Sequence, residues 1–120
     1  MARRVEELAA RVFAARDAAH RAHWRTREYA AHMALGEFYV GVVDALDEIV
    51  EVYQGENGVL LTVPVGATVS GGVREMLADE ADWIAAHRAD ISGGSDAVGN
   101  LVDNLVAIYR KTVYKLKFLS

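Results

Sequence analysis

Four histidines, 17 acidic residues and no cysteine set the chemistry open to this 120-residue chain. Without a thiol there is no cysteine nucleophile, no thiolate metal site and no disulfide framework. The imidazoles are His20, His23, His32 and His87, and the informative spacing runs from His23 to Glu51. Asp47 and Glu51 stand four residues apart, so on a helix their carboxylates share a face and can chelate one hard or borderline cation. His32 lies fifteen residues before Asp47, about 60° round the same helix at about 100° per residue. His23 falls in line with Val5, Val12 and Ala19, on the packed face of the preceding helix. Asp47 flanks the apolar stripe of its helix and Glu51 lies further out. A site at the edge of a stripe suits residues shared with a neighbouring subunit.

Each of these residues also has a plain structural reading. A lone histidine on an apolar face is more often a hydrogen-bonded core residue than a ligand, and an acidic pair at i,i+4 is usually solvated surface. Glu37, Asp44 and Glu48 read as that surface. Trp24, Trp83, Tyr53 and Tyr109 read as packing or interface aromatics. His87 has no carboxylate partner at ligand spacing and reads as structural.

The elements that must position these groups are helical. Many alanines and a single proline, Pro64, permit long uninterrupted helices. The first is expected from about Arg3 to Arg25, and the second from about Tyr29 to Gln54, stopped by Gly55. The third starts near Gly72 and ends near Ser92-Gly93-Gly94. The fourth takes Ser95 as N-cap and Asp96 in its first turn, and it ends basic with Lys115 and Lys117, as the helix dipole favours. Short links make each consecutive pair an antiparallel hairpin. Between the pairs lies an apolar stretch, Gly58 to Ser70, whose thirteen residues reach about 43 Å when extended. The second helix is about 39 Å long. The stretch can therefore run the length of the molecule and start helix three at the far end, with helices two and three parallel. The expected fold is all-α, one domain over residues 1–120: a ferritin-like four-helix bundle with a long crossover between helices two and three. The rival reading folds Val59–Val65 into a short hairpin or edge strand.

Thirteen Lys and Arg against 17 Asp and Glu give a formal charge of −4. An acidic balance disfavours nucleic acid as a partner. No apolar run follows Arg3-Arg4 and none reaches eighteen residues, so neither a leader nor a membrane span is expected, and the cytoplasm is the expected location.

The run His23-Trp24-Arg25-Thr26-Arg27-Glu28-Tyr29-Ala30-Ala31-His32, continuing to Phe38, Asp47 and Glu51, resembles the Dps miniferritin family. The resemblance is strong over about thirty residues: a His-Trp pair, a second His opening the next helix, then Asp and Glu four apart along it. It implies that His23 and His32 of one subunit face Asp47 and Glu51 of a two-fold-related subunit, and that the four bind iron for oxidation by peroxide or oxygen. Manganese and zinc suit the same donors. It implies a homo-oligomer, a dimer or a closed cage, with Met33, Phe38 and Val40 at the two-fold. The chain departs from the family pattern, and it is also short for the family. Gly36 stands where an Asp is usual, four residues after the second histidine, and the loop after the His-Trp pair is some three residues shorter. The lysine-rich tail some members use for DNA is absent, so DNA compaction ranks last. The competing reading is a helical structural or host-factor-binding protein, for instance a phage accessory protein, that keeps the helices without the metal chemistry.

Overall fold

A computed structural model describes residues 3–120, which form five α-helices and, among the described residues, no strand. They are α1 (Arg4–Arg25), α2 (Tyr29–Asn57), α3 (Val73–Ala86), α4 (Arg88–Ser92) and α5 (Asp96–Phe118). Each long helix turns one apolar stripe inward. The stripes are Val5, Leu8, Val12 and Ala19 on α1, Leu35, Phe38, Val42, Leu46 and Ile49 on α2, Leu77 and Ile84 on α3, and Val98, Val102, Leu105 and Tyr109 on α5. Together they form one core, and removing that apolar surface from water is what holds the helices together.

Helix ends follow local chemistry. Glu6 accepts the Arg3 amide at 2.8 Å and starts α1, while the Ser95 hydroxyl accepts the Val98 amide at 3.1 Å and starts α5. The expected stop of the second helix at Gly55 falls short. The helix continues through Gly55 and ends where Gly58 adopts φ 63°, a left-handed turn that residues with a Cβ resist. The expected single third helix is two helices, divided at His87. There the imidazole Nδ1–H donates to the Trp83 carbonyl at 2.7 Å, competing with the backbone ladder, and the ring stacks on Trp83 at 4.2 Å. His87 is thus held against its own helix by Trp83.

Cross-helix contacts fix the directions. Arg11 on α1 meets Glu80 on α3, and Arg4 meets Asp90 on α4. Val73 lies at the opposite end of the molecule, around one depression with Ala22, Ala31, Leu35 and Leu116. α3 therefore runs antiparallel to α1 and parallel to α2. α5 returns antiparallel to α2, with Ser95 bonded to Glu56 at its start and Lys115 to Glu37 near its end. The link from Gly58 to Gly72 is an irregular strap and not a hairpin. Gln54 accepts the Leu61 amide and Glu6 the Thr62 amide, at 2.9 and 2.7 Å. Further along, Val69 lies beside Ala14 and Ala18, so the strap travels the length of α1. The Thr62 amide, then that of Arg3, holds the Glu6 carboxyl below its ordinary value of 4.5. No helix of the described residues is long and apolar enough to cross a membrane.

Candidate metal centre

A three-residue loop, Thr26 to Glu28, joins α1 to α2 and brings His23 and His32 face to face. Their ring centroids are 3.7 Å apart and the planes 18° from parallel. The His23 Nδ1 bonds the His32 carbonyl at 2.7 Å, and the His32 Nδ1 bonds the His23 carbonyl at 2.9 Å. A carbonyl only accepts, so each Nδ1 carries the proton and, in the neutral ring, each Nε2 keeps its lone pair. This is how protein scaffolds orient a metal-binding imidazole. The clamp also has a local cause. The last carbonyls of a helix have no partner within it, and the His32 ring supplies one to α1.

Gly36 makes the stack fit. A Cβ at this position would lie 3.2 Å from His23 Cε1 and 3.4 Å from Nδ1, closer than an imidazole comfortably tolerates. Behind His23 the ring of His20 stacks on Tyr39 at 3.9 Å, and Trp24 tilts against His20 at 4.4 Å. The adjacent carboxylate, Glu37, is turned to α5. There the Lys115 ammonium bonds it and holds its carboxyl below the ordinary 4.5.

Asp47 and Glu51 are exposed one turn apart on α2. They do not meet the imidazoles of their own chain, because fifteen residues of helix separate His32 from Asp47 by about 22 Å. No group of three or more His, Asp or Glu among the described residues could hold a metal ion within one chain. The fold thus builds an imidazole pair across the α1–α2 corner and a carboxylate pair further along α2.

The solvent face of α2 connects them. At about 100° per residue, Tyr29, Met33, Val40, Asp47 and Glu51 fall within about 40° of one another. Tyr29, Met33 and Val40 are 76, 45 and 63% exposed, and Trp24 beside them on α1 is 69% exposed. Phe38, expected on this surface, is instead fully buried and packs edge-on against Tyr109 at 4.9 Å. It lies about 160° round the helix from Val40, on the core side.

Spacing marked Asp47 and Glu51 as a carboxylate pair, and the resemblance added His23 and His32 as their partners. Neither carried a sign of the carbonyl clamp, of Gly36 as the bed for His23, or of His20 on Tyr39, each of which needs two helices in contact. The interior holds one further titratable cluster. Arg11 grips Glu80 through Nε and a terminal nitrogen at 3.0 and 2.9 Å and lies 4.1 Å over the Trp83 ring. The Tyr109 hydroxyl has no hydrogen-bond partner, and burial pushes its pKa well above 10.0.

Residues 23–116 match the model of a family described as a family of unknown function, DUF5856, and the chain belongs to that family. The match opens at His23 and spans both pairs. No curated protein and no solved structure matches the chain.

Proposed function

We propose that this member of DUF5856 is a Dps-like miniferritin relative that binds iron(II) between two copies of the chain. Its helices would form a ferritin-like four-helix bundle, with α3 and α4 together as the third helix and the strap as the crossover. His23 and His32 of one copy supply imidazole nitrogens, and Asp47 and Glu51 of the other supply carboxylates. The observation that carries the reading is the reciprocal clamp. Both Nδ1 atoms are spent on carbonyls, so in the neutral rings each Nε2 keeps a lone pair that a cation could take. These donors fit a divalent cation of the iron, manganese or zinc type. Iron(II) held there is the substrate of a one-electron oxidation, with dioxygen or peroxide accepting the electron.

The face of α2 supports the two-fold. Val40 lies midway along the helix between the imidazole and carboxylate pairs. An antiparallel second copy centred there sets His32 against Asp47 and Glu51 twice over, as an isologous contact requires. Charge is complementary across the same contact. Arg21, Arg25 and Arg27 surround the imidazole end, while Asp44, Asp47, Glu48 and Glu51 occupy the other.

Calorimetry with iron(II) under nitrogen tests the proposal on wild type, Asp47→Ala and His87→Ala. Asp47→Ala is expected to weaken binding about 10-fold or more, since outer-shell losses already reach that size, and His87→Ala to leave it unchanged. Equal affinities in all three proteins would overturn the metal reading in favour of a helical interaction protein.

A further inference from the structure

α5 turns one stripe inward, Val98, Val102, Leu105 and Tyr109, and leaves the opposite side of its last turns open. At about 100° per residue, Arg110, Lys111, Tyr114, Lys117 and Phe118 fall within about 120° of one another on that side. All five are exposed, and Leu119 follows them into solvent. The Tyr114 and Phe118 ring centroids are 5.8 Å apart, and the Lys117 ammonium lies 5.3 Å from the Phe118 ring. The three lysines of the chain all belong to this segment. Arg110 is paired with Asp82 on α3 and Lys115 with Glu37 on α2. Among the described residues that leaves Lys111 and Lys117 as the cations of the segment without an ion pair.

Exposed rings beside unpaired lysines fit a partner that is anionic and also accepts apolar side chains. Size separates the candidates, because Arg110 to Phe118 is only about 12 Å of helix. A stable protein interface takes about 800 Å² from each partner, far more than these turns present. A single nucleic-acid strand is held along a charged groove over about four or more nucleotides. Here the next charged residue back along α5 is an acid, Asp103, held by Arg88. A lipid surface sets no such area requirement. A few apolar side chains enter the headgroup region while neighbouring lysines meet the anionic heads.

We propose that the C-terminal turns of α5 dock this protein on an anionic lipid membrane, with Tyr114, Phe118 and Leu119 in the headgroup region and Lys111 and Lys117 against the anionic heads. Aromatic rings favour that depth, and lysine stems lie along apolar surface while the ammonium stays among the heads. The attachment is peripheral, since no helix of the described residues is long and apolar enough to cross a membrane. It is also oriented. The formal charge is −4, and Asp44, Asp47, Glu48 and Glu51 on the far half of α2 and Asp96 at the start of α5 keep the acidic end away from the lipid. Neither the imidazole nor the carboxylate pair takes part, so failure of this proposal leaves the metal reading untouched.

Flotation of the purified full chain with vesicles of phosphatidylcholine, with and without phosphatidylserine, tests the proposal at low and at high salt. Binding is expected only to the anionic vesicles and is expected to weaken as salt rises. A lysine near an anionic surface contributes about 5-fold to binding, so Lys111→Gln combined with Lys117→Gln is expected to weaken it about 25-fold. Phe118→Ser combined with Leu119→Ser is expected to weaken it about 10-fold or more, through the apolar surface that no longer leaves water. Arg4→Gln, at the other end of the molecule, changes the charge as much as one lysine substitution and should bind as wild type does. Circular dichroism checks that each variant keeps its helices, as substitutions at exposed positions should. Equal binding to both kinds of vesicle, or binding indifferent to the lysine and the Phe118–Leu119 substitutions, would overturn the proposal. So would a chain that ignores the anionic vesicles and instead binds a mixed-sequence single-stranded oligonucleotide through the same residues, which would give this face to nucleic acid.

Discussion

Val40→Asp separates the two-fold assembly from every ligand. In the proposed antiparallel pair residue 40 would face its own copy, so each substitution would count twice. Val40 is 63% exposed in the single chain, and burying a whole valine side chain is worth about 1.5–3 kcal/mol. The part still open to the partner is then worth about 1–2 kcal/mol per copy and about 2–4 kcal/mol per dimer. At 1.4 kcal/mol per decade the dimer dissociation constant rises about 30–700-fold. Two carboxylates meeting at the axis, away from water, push the loss further. Light scattering and sedimentation at micromolar concentration read the assembly, and calorimetry reads the cation. Both are expected to fail together, although Asp47, Glu51, His23 and His32 are untouched. The monomer fold is expected to survive within about 0.5 kcal/mol, since surface changes cost little. A Val40→Asp protein that dimerises and binds cations as wild type does would refute the two-fold, as would a wild-type particle of single-chain mass.

Two further outcomes test the frame that carries the site. Arg11→Met leaves the buried Glu80 carboxylate without its guanidinium partner, and breaking a buried pair from one side is expected to cost about 3–5 kcal/mol; chemical denaturation of wild type, Arg11→Met and the double variant with Glu80→Met measures it, the double variant recovering most of the loss. The Thr62 amide, then that of Arg3, holds the Glu6 carboxyl below 4.5, so its contribution is fully present above pH 4.5 and is lost as pH falls through the lowered value. Amide exchange at Thr62 is expected to speed up over that window in wild type, and Glu6→Gln is expected to exchange at the faster rate at every pH. An exchange rate at Thr62 that ignores both changes would detach Glu6 from the strap.

Helix positions were legible because each long element carries its own periodic stripe and its own terminal residues. Ser95 and Gly58 act as local chemistry dictates, and the strap is long enough to let α2 and α3 run parallel, as they do. The errors came from contacts between elements or from side chains turning on their own backbone. Gly55 is a poor helix residue, yet the helix is long enough to absorb it. The break at His87 depends on an imidazole reaching the Trp83 carbonyl, which periodicity does not register. Phe38 was read as lying outside the apolar stripe of its helix and at a two-fold, whereas it is buried in the core beside Tyr109. At the candidate site the four residue types and their spacing were readable. The pairing of His23 with His32 through each other's carbonyls was not, because it is created by the corner between two helices.

That corner ties together the chain's two departures from the miniferritin pattern, the short loop and Gly36. A link of only Thr26 to Glu28 draws the end of α1 close to the start of α2, close enough for each imidazole to reach the other's backbone. The same approach brings the His23 ring against the turn of α2 that begins at Gly36, where a Cβ would stand 3.2 Å from the ring and the ring would have to give by a few tenths of an ångström. A longer loop is expected to relieve that crowding and loosen the clamp, and a larger residue at 36 is expected to fit better with the longer loop. The two features are therefore expected to be coupled. Lengthening the loop in wild type should weaken the His23–His32 contact, whereas lengthening it in Gly36→Asp should recover folding stability that Gly36→Asp alone has lost. Denaturation of the two single variants and the combination measures that coupling, and strict additivity would show the loop and Gly36 to be independent.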